Sequence, residues 1–217
     1  MMQRPPNPAH TAHQLGQPRG LAADVAPERR AATAAWQTVI GVDLSYSGKG
    51  DKAAVVVVSR RADEPAERAR YYVRDVWSGA KEIRSLRSTL AAWSAKYDGA
   101  PMTSYVGASE LGVLQLLGEA STDAHGDKQP AVNIVPMLAH SGKAVRSAWT
   151  QDLWNAGRII LPRGAVWAEG LARRVLAFTG IDGDQDDEVD ALVSAVEFLR
   201  VCGGPATSKM SARRTRF

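Results

Sequence analysis

Four consecutive valines set the first limit on how this chain can fold. The run Ala53–Ser59 (AAVVVVS) is apolar at every other position and at the positions between. Side chains of an extended segment alternate sides, so both faces of such a strand must be covered. It belongs at the centre of a sheet. Two more β-branched or aromatic runs flank it, Val39–Val42 and Arg70–Trp77 (RYYVRDVW), separated from it by turn-rich segments. Connections of that length are too short for crossover helices, so the three runs predict an antiparallel meander.

Helical and extended patterns then alternate. Ala80–Tyr97 places Ile83, Leu86, Leu90, Trp93 and Tyr97 at steps of three and four, the mark of an amphipathic helix. A short strand is expected at Ser104–Gly107, a helix at Glu110–Ala120, a strand at Val132–Pro136 and a helix at Lys143–Asn155. Ile159–Leu161 reads as another strand, and Ala165–Phe178 and Asp186–Arg200 as helices, the last burying Val189, Leu192, Val193, Val196 and Leu199. This order predicts an α/β fold: a mixed sheet, antiparallel meander first and parallel strands after, with helices on both faces.

Composition bounds the rest. The chain has 217 residues, and its single Cys202 excludes an intramolecular disulfide framework or a Cys-rich zinc site and fits a reducing compartment. No apolar run approaches the roughly 18 residues a membrane span needs, and no secretory h-region opens the chain. Residues 1–36 are expected to form a flexible Pro/Ala-rich segment; within it, Pro27 followed by Glu28, Arg29, Arg30 and alanines is compatible with a short helix reaching Trp36. Residues 37–202 are expected to form the folded domain and 203–217 a flexible basic tail. The net charge is +4, and Lys209, Arg213, Arg214 and Arg216 in that tail account for all of it, so the body is near neutral. Such a tail attracts phosphates or an acidic partner.

The chemistry points to acids. Asp43 ends the apolar strand Val39–Val42, where a charge is costly unless paired. Alternation puts it on the face of Gly41, with room beside it for an ion or a substrate. Ile181–Leu192 (IDGDQDDEVDAL) leads into an otherwise apolar helix. The helix dipole accounts for Asp186 and Glu188 in a first turn, but less well for Asp190, which neighbours Asp187 on the helix surface. An EF-hand loop starting at Asp182 fails, because its sixth position is Asp187 in place of Gly and its twelfth Val193 in place of Glu. Glu110 follows the Ser104–Gly107 strand at a helix start. Acids after two strands and on the last helix can converge at one sheet edge, giving a hard oxygen site suited to Mg²⁺ or Mn²⁺. Two such ions about 4 Å apart suffice for phosphodiester hydrolysis.

These segments carry a family resemblance. Gly41–Ala54 (GVDLSYSGKGDKAA), Glu110 in YVGASELG and Asp186–Leu192 (DDEVDAL) resemble the three acidic motifs of the nuclease domain of tailed-phage large terminase subunits, an RNase H-like (RuvC-type) fold. Lys143, Arg146 and Gly157–Pro162 (GRIILP) match the helix and strand between the last two motifs. Leu44 stands where that family usually has Pro, and Lys52 where an aromatic is common. Gly41–Gly50 is not a phosphate-binding loop, because its glycine spacing is too long and Gly50 replaces Ser or Thr.

The resemblance implies a divalent-metal-dependent endodeoxyribonuclease that cuts concatemeric viral DNA during packaging. Asp43, Glu110 and Asp187 would be catalytic. The same three with Asp190, and Asp186 as a further candidate, would hold two Mg²⁺ or Mn²⁺. Asp187 and Asp190 also match the D-x-x-D-A-L helix of RuvC-type resolvases. Lys49 and Lys52, in a Gly-rich basic loop beside Asp43, and Lys143 with Arg146, one helical turn apart, are the candidate DNA contacts. His140 is a candidate accessory proton carrier, and Trp93 and Trp149 are expected in the core or an interface. The implied partners are double-stranded DNA, a separate packaging ATPase, a small terminase subunit and a portal, in the cytoplasm of a bacterial host and with no membrane. Two other readings stay open: a RuvC-type Holliday-junction resolvase, and a non-catalytic module docking DNA or a portal-like ring.

Overall fold

The computed structural model describes residues 35–44, 52–65, 67–80, 82–122, 126–139, 141–181 and 186–202. Lys49, His140, most of the N-terminal segment and the tail 203–217 lie outside these residues. The three apolar runs form strands β1 (Trp36–Asp43), β2 (Ala53–Arg61) and β3 (Tyr71–Gly79), antiparallel in sequence order. Register pairs Trp36 with Arg61 and Asp43 with Ala54, and the β2–β3 ladder shifts between Val57 and Val58. Trp36 opens a strand and ends no helix. Its ring meets Tyr72 edge-on at 5.2 Å between centroids, with the Arg74 guanidinium 4.4 Å above it. Residues 27–34 of the short helix compatible with the sequence lie outside the described residues.

The chain continues through α1 (Ile83–Lys96), β4 (Met102–Val106), α2 (Ala108–Gly118), β5 (Ser121–Thr122), β6 (Lys128–Gln129), β7 (Ile134–Leu138), α3 (Lys143–Asn155), β8 (Ile159–Ile160), α4 (Ala168–Ala177) and α5 (Asp187–Cys202). Six strands make one mixed sheet in the order β7-β4-β1-β2-β3-β8. β4 runs parallel to β1, β7 parallel to β4, and β8 parallel to β3. The expected meander followed by parallel strands is therefore present. The small β5–β6 hairpin was not foreseen, since its polar two-residue strands carry no hydrophobic period. Buried Arg87 of α1 ties it down, donating from Nη1 to the Glu119 carbonyl (2.9 Å) and Ser121 Oγ, and from Nη2 to the Leu116 carbonyl.

Both faces of the sheet are covered, as the valine run requires. On one face Val55 and Val57 pack with Ile40, Val42, Leu86 and Leu90 of α1, and Val113 and Leu117 of α2. On the other, Val56 and Val58 pack with Val39, Tyr71, Leu153, Leu171 and the apolar side of α5. Each such Val or Leu contributes roughly 1.5–3 kcal/mol by leaving water. Helix α5 lies against β1, β2 and β4. It comes so close that a Cβ at Gly41 would sit 1.9 Å from the Ala191 carbonyl oxygen and 2.9 Å from the Ala195 Cβ. Only glycine fits there, and this contact brings the acidic start of α5 to the end of β1.

Candidate active site

Two chain directions create the site. β1 and β4 are parallel, so the residues that follow them emerge at the same sheet edge. Alternation along β1 turns Asp43 to the side of Gly41, which faces α5. After β4 the chain turns at Gly107 into α2, which carries Glu110 in its first turn. The first turn of α5 carries Asp190. Asp43, Glu110 and Asp190 consequently line one cavity of about 290 Å³, together with Val42, Leu44, Tyr105, Gly107, Ala139 and Arg146.

The remaining acids of the α5 segment have separate surroundings. Asp186 is buried just before the helix and accepts a 2.7 Å ion-paired hydrogen bond from Lys143 Nζ. The same ammonium lies 3.3 Å from Asp190 Oδ2. Lys143 reaches both because the chain before α5 passes over the start of α3. There Gly180, at φ +74°, comes so near Ala144 that a Cβ would lie 3.0 Å from its methyl group. Asp187 does not line the cavity, yet its charge acts on Asp43. Glu188 is turned into the core, where it accepts from Ser78 Oγ at 2.6 Å and pairs with Arg174 Nε at 3.0 Å. Its role is structural.

Electrostatics follow from this crowding. Burial pushes the Asp43 carboxyl from 3.8 up to about 8, and the charges of Asp190, Asp187 and Asp186 add to the effect while Lys143 opposes it. Burial also raises Asp190, again against Lys143. Burial disfavours the Lys143 charge, but its hydrogen bond to Asp186 and the charge of Asp190 outweigh that and push it up to about 12. Glu110 Oε2 accepts a 2.7 Å hydrogen bond from the Gly107 N–H, closing the first turn of α2. With Glu110 bonded there and Lys143 against Asp186 and Asp190, no three acids among the described residues stand together as a ready set of metal ligands.

On the cationic side, Arg146 lies one turn beyond Lys143 on α3. Its guanidinium sits 4.9 Å from the centre of the Tyr105 ring and donates from Nη1 to the Ser141 carbonyl. Lys52 is exposed immediately before β2, next to the strand pair that ends in Asp43. Tyr105 is the cavity residue that sequence reasoning missed. The alternation of Thr103 and Tyr105 along β4 was its one signal, and an aromatic in a short strand more often marks core.

The model of the terminase RNase H-like domain family matches residues 40–198, and the chain belongs to that family. Solved structures agree on the fold. The large terminase nuclease of thermophilic phage G20c, with bound zinc, is 17% identical, and the match covers 83% of this chain and 90% of that one at a TM-score of 0.51. The manganese-soaked terminase nuclease domain of human cytomegalovirus is 10% identical over 80% of this chain and 87% of that one, also at 0.51. A comparison with curated protein sequences found no match. The mixed sheet with its covering helices is thus an RNase H-like terminase fold.

Proposed function

We propose that the chain is a divalent-cation-dependent endodeoxyribonuclease of the large-terminase type, cutting concatemeric viral DNA during packaging. The observation that carries this reading is the convergence of Asp43, Glu110 and Asp190, from three separate elements, on one cavity. The donors are all carboxylate oxygens, which suits Mg²⁺ or Mn²⁺. The upward shift of Asp43 fits as well, because a buried carboxyl among other acids lacks positive charge. The zinc and manganese described for the two similar structures support divalent-metal use here.

Asp43 and Asp190 would hold the cations, and Glu110 would join by turning its Oε2 from the Gly107 N–H. Asp187, whose charge reaches Asp43, is the fourth candidate ligand, whereas Asp186 keeps Lys143 in position. The chemistry such ions supply when bound is activation of water and neutralisation of the leaving oxygen. Lys143 and Arg146 orient the phosphate from α3, and Lys52 meets the backbone from the β2 side. Double-stranded DNA is the substrate. A packaging ATPase, a small terminase subunit and a portal are the partners, in the cytoplasm of the host.

Nicking of supercoiled plasmid with Mn²⁺, Mg²⁺, Ca²⁺ or EDTA, run beside Asp43→Asn, tests the reading. Nicking is expected with Mn²⁺ or Mg²⁺ and not in EDTA. Loss of an outer partner of a metal ligand already costs about 10–100-fold, so losing the ligand itself should reduce nicking by more than about a hundredfold. Equal nicking by both proteins would overturn it.

A further inference from the structure

A second groove of about 430 Å³ opens directly beside the acidic cavity. The two share Tyr105 and Arg146, which form the partition between them. Beyond that partition the lining changes character. Met137, Leu138, Val145 and Trp149 present apolar surface, and the Arg200 guanidinium covers the Trp149 ring at 5.4 Å from its centre. Arg200 is itself matched by Glu197, whose Oε2 accepts from its Nε at 2.7 Å. Among the described residues the far end of the groove therefore carries no surplus charge and is ill suited to tracking phosphates. Arg146 stands between the two compartments. Its Nη1 is engaged by Ser141, while its Nε is buried without a hydrogen-bond partner among the described residues. Among the described residues nothing else in the partition supplies a cation, so a phosphate on the acid side and a flat apolar group on the other are what this guanidinium can serve together.

We propose that this groove takes the base of an unpaired nucleotide adjoining the phosphate bound at the acids, with Arg146 seated between base and phosphate. The proposal rests on the nuclease reading of the acidic cavity. A base can leave a duplex for a side pocket only by unstacking, which costs least where the strand is mismatched or already single. Contact with aromatic and guanidinium surfaces then repays part of that cost. The occupant is a DNA strand, and the expected signature is a preference for locally unpaired DNA.

Fluorescence anisotropy with Ca²⁺ present, using the full chain, compares a short paired duplex with the same duplex carrying a central mismatched stretch; gels check that the DNA stays intact. Wild type is expected to bind the mismatched DNA about tenfold more tightly or better. Val145 is 69% exposed and Leu138 54%, so Val145→Glu and Leu138→Glu introduce charge into the groove without burying it in the core. Each variant that keeps the wild-type circular dichroism is expected to lose the preference. Equal binding of the two DNAs by wild type, or an undiminished preference in both groove variants, would overturn the proposal. Plasmid nicking without the preference sinks the groove alone. A preference abolished by the groove variants, with no cleavage in any cation, upholds the groove as a DNA site and sinks the nuclease reading instead.

Discussion

Asp43 faces helix α5 from the end of β1 and Glu188 belongs to that helix, and their substitutions should act in opposite directions. The Asp43 carboxyl is held up to about 8 from an ordinary 3.8, so between those values the folded chain binds a proton that the unfolded chain releases. Its stabilising contribution is complete below about 3.8 and is lost as pH rises through about 8. In EDTA, Asp43→Asn is therefore expected to melt no lower than wild type, with a gain that grows across this interval. Calorimetry at several pH values reads it, and a gain that shrank with rising pH would contradict the assignment. Glu188→Ala removes the acceptor of Ser78 and the partner of Arg174 from a buried position. It is expected to cost about 1–3 kcal/mol in urea unfolding at neutral pH. The sequence made Asp43 legible because a charge closing an apolar strand needs a reason. It left the acids of the α5 segment harder to separate, since Lys143, Arg174 and Ser78, which distinguish them, lie far away along the chain.

At the scale of elements, the site depends on how closely α5 approaches β1. Gly41→Ala places a methyl group 1.9 Å from the Ala191 carbonyl, which forces the helix outward. A stability loss of about 1–3 kcal/mol is expected from such overpacking. Asp190 should move from Asp43 as well, so the variant should respond less to added Mn²⁺ than wild type does. Wild-type stability and an undiminished Mn²⁺ response in Gly41→Ala would refute that link. The strands and helices themselves were readable from hydrophobic period, because the valine run and the stripe of α5 leave little choice of burial. The β5–β6 hairpin was not, because its order comes from Arg87 and from no pattern of its own. The close contact at Gly41 was equally hidden, since a glycine in a strand is compatible with several kinds of neighbour.

For the molecule as a whole, sheet order turns residues far apart in sequence into one site. The meander and the parallel return of β4 could be inferred from connection lengths, but not the rotation of α5 that brings Asp190 to the cavity and Glu188 to the core. Residues 40–198 match the terminase RNase H-like family as one unit, and the acids sit where its first strand, second helix and last helix meet. If those acids bind cations only when folded, Mn²⁺ must stabilise the fold by mass action, by about 2.7 kcal/mol at a hundred times Kd. For a domain of this size that corresponds to a rise in Tm of roughly 5–10 °C. Asp43→Asn should lose most of this rise.

The most direct measurement is an anomalous difference map from crystals soaked in Mn²⁺. Manganese is expected within ligating distance of Asp43 and of Asp190 or Glu110, with Lys143 drawn away from Asp190. A fully soaked crystal with no peak at that cavity, and Lys143 still bridging Asp186 and Asp190, would contradict it.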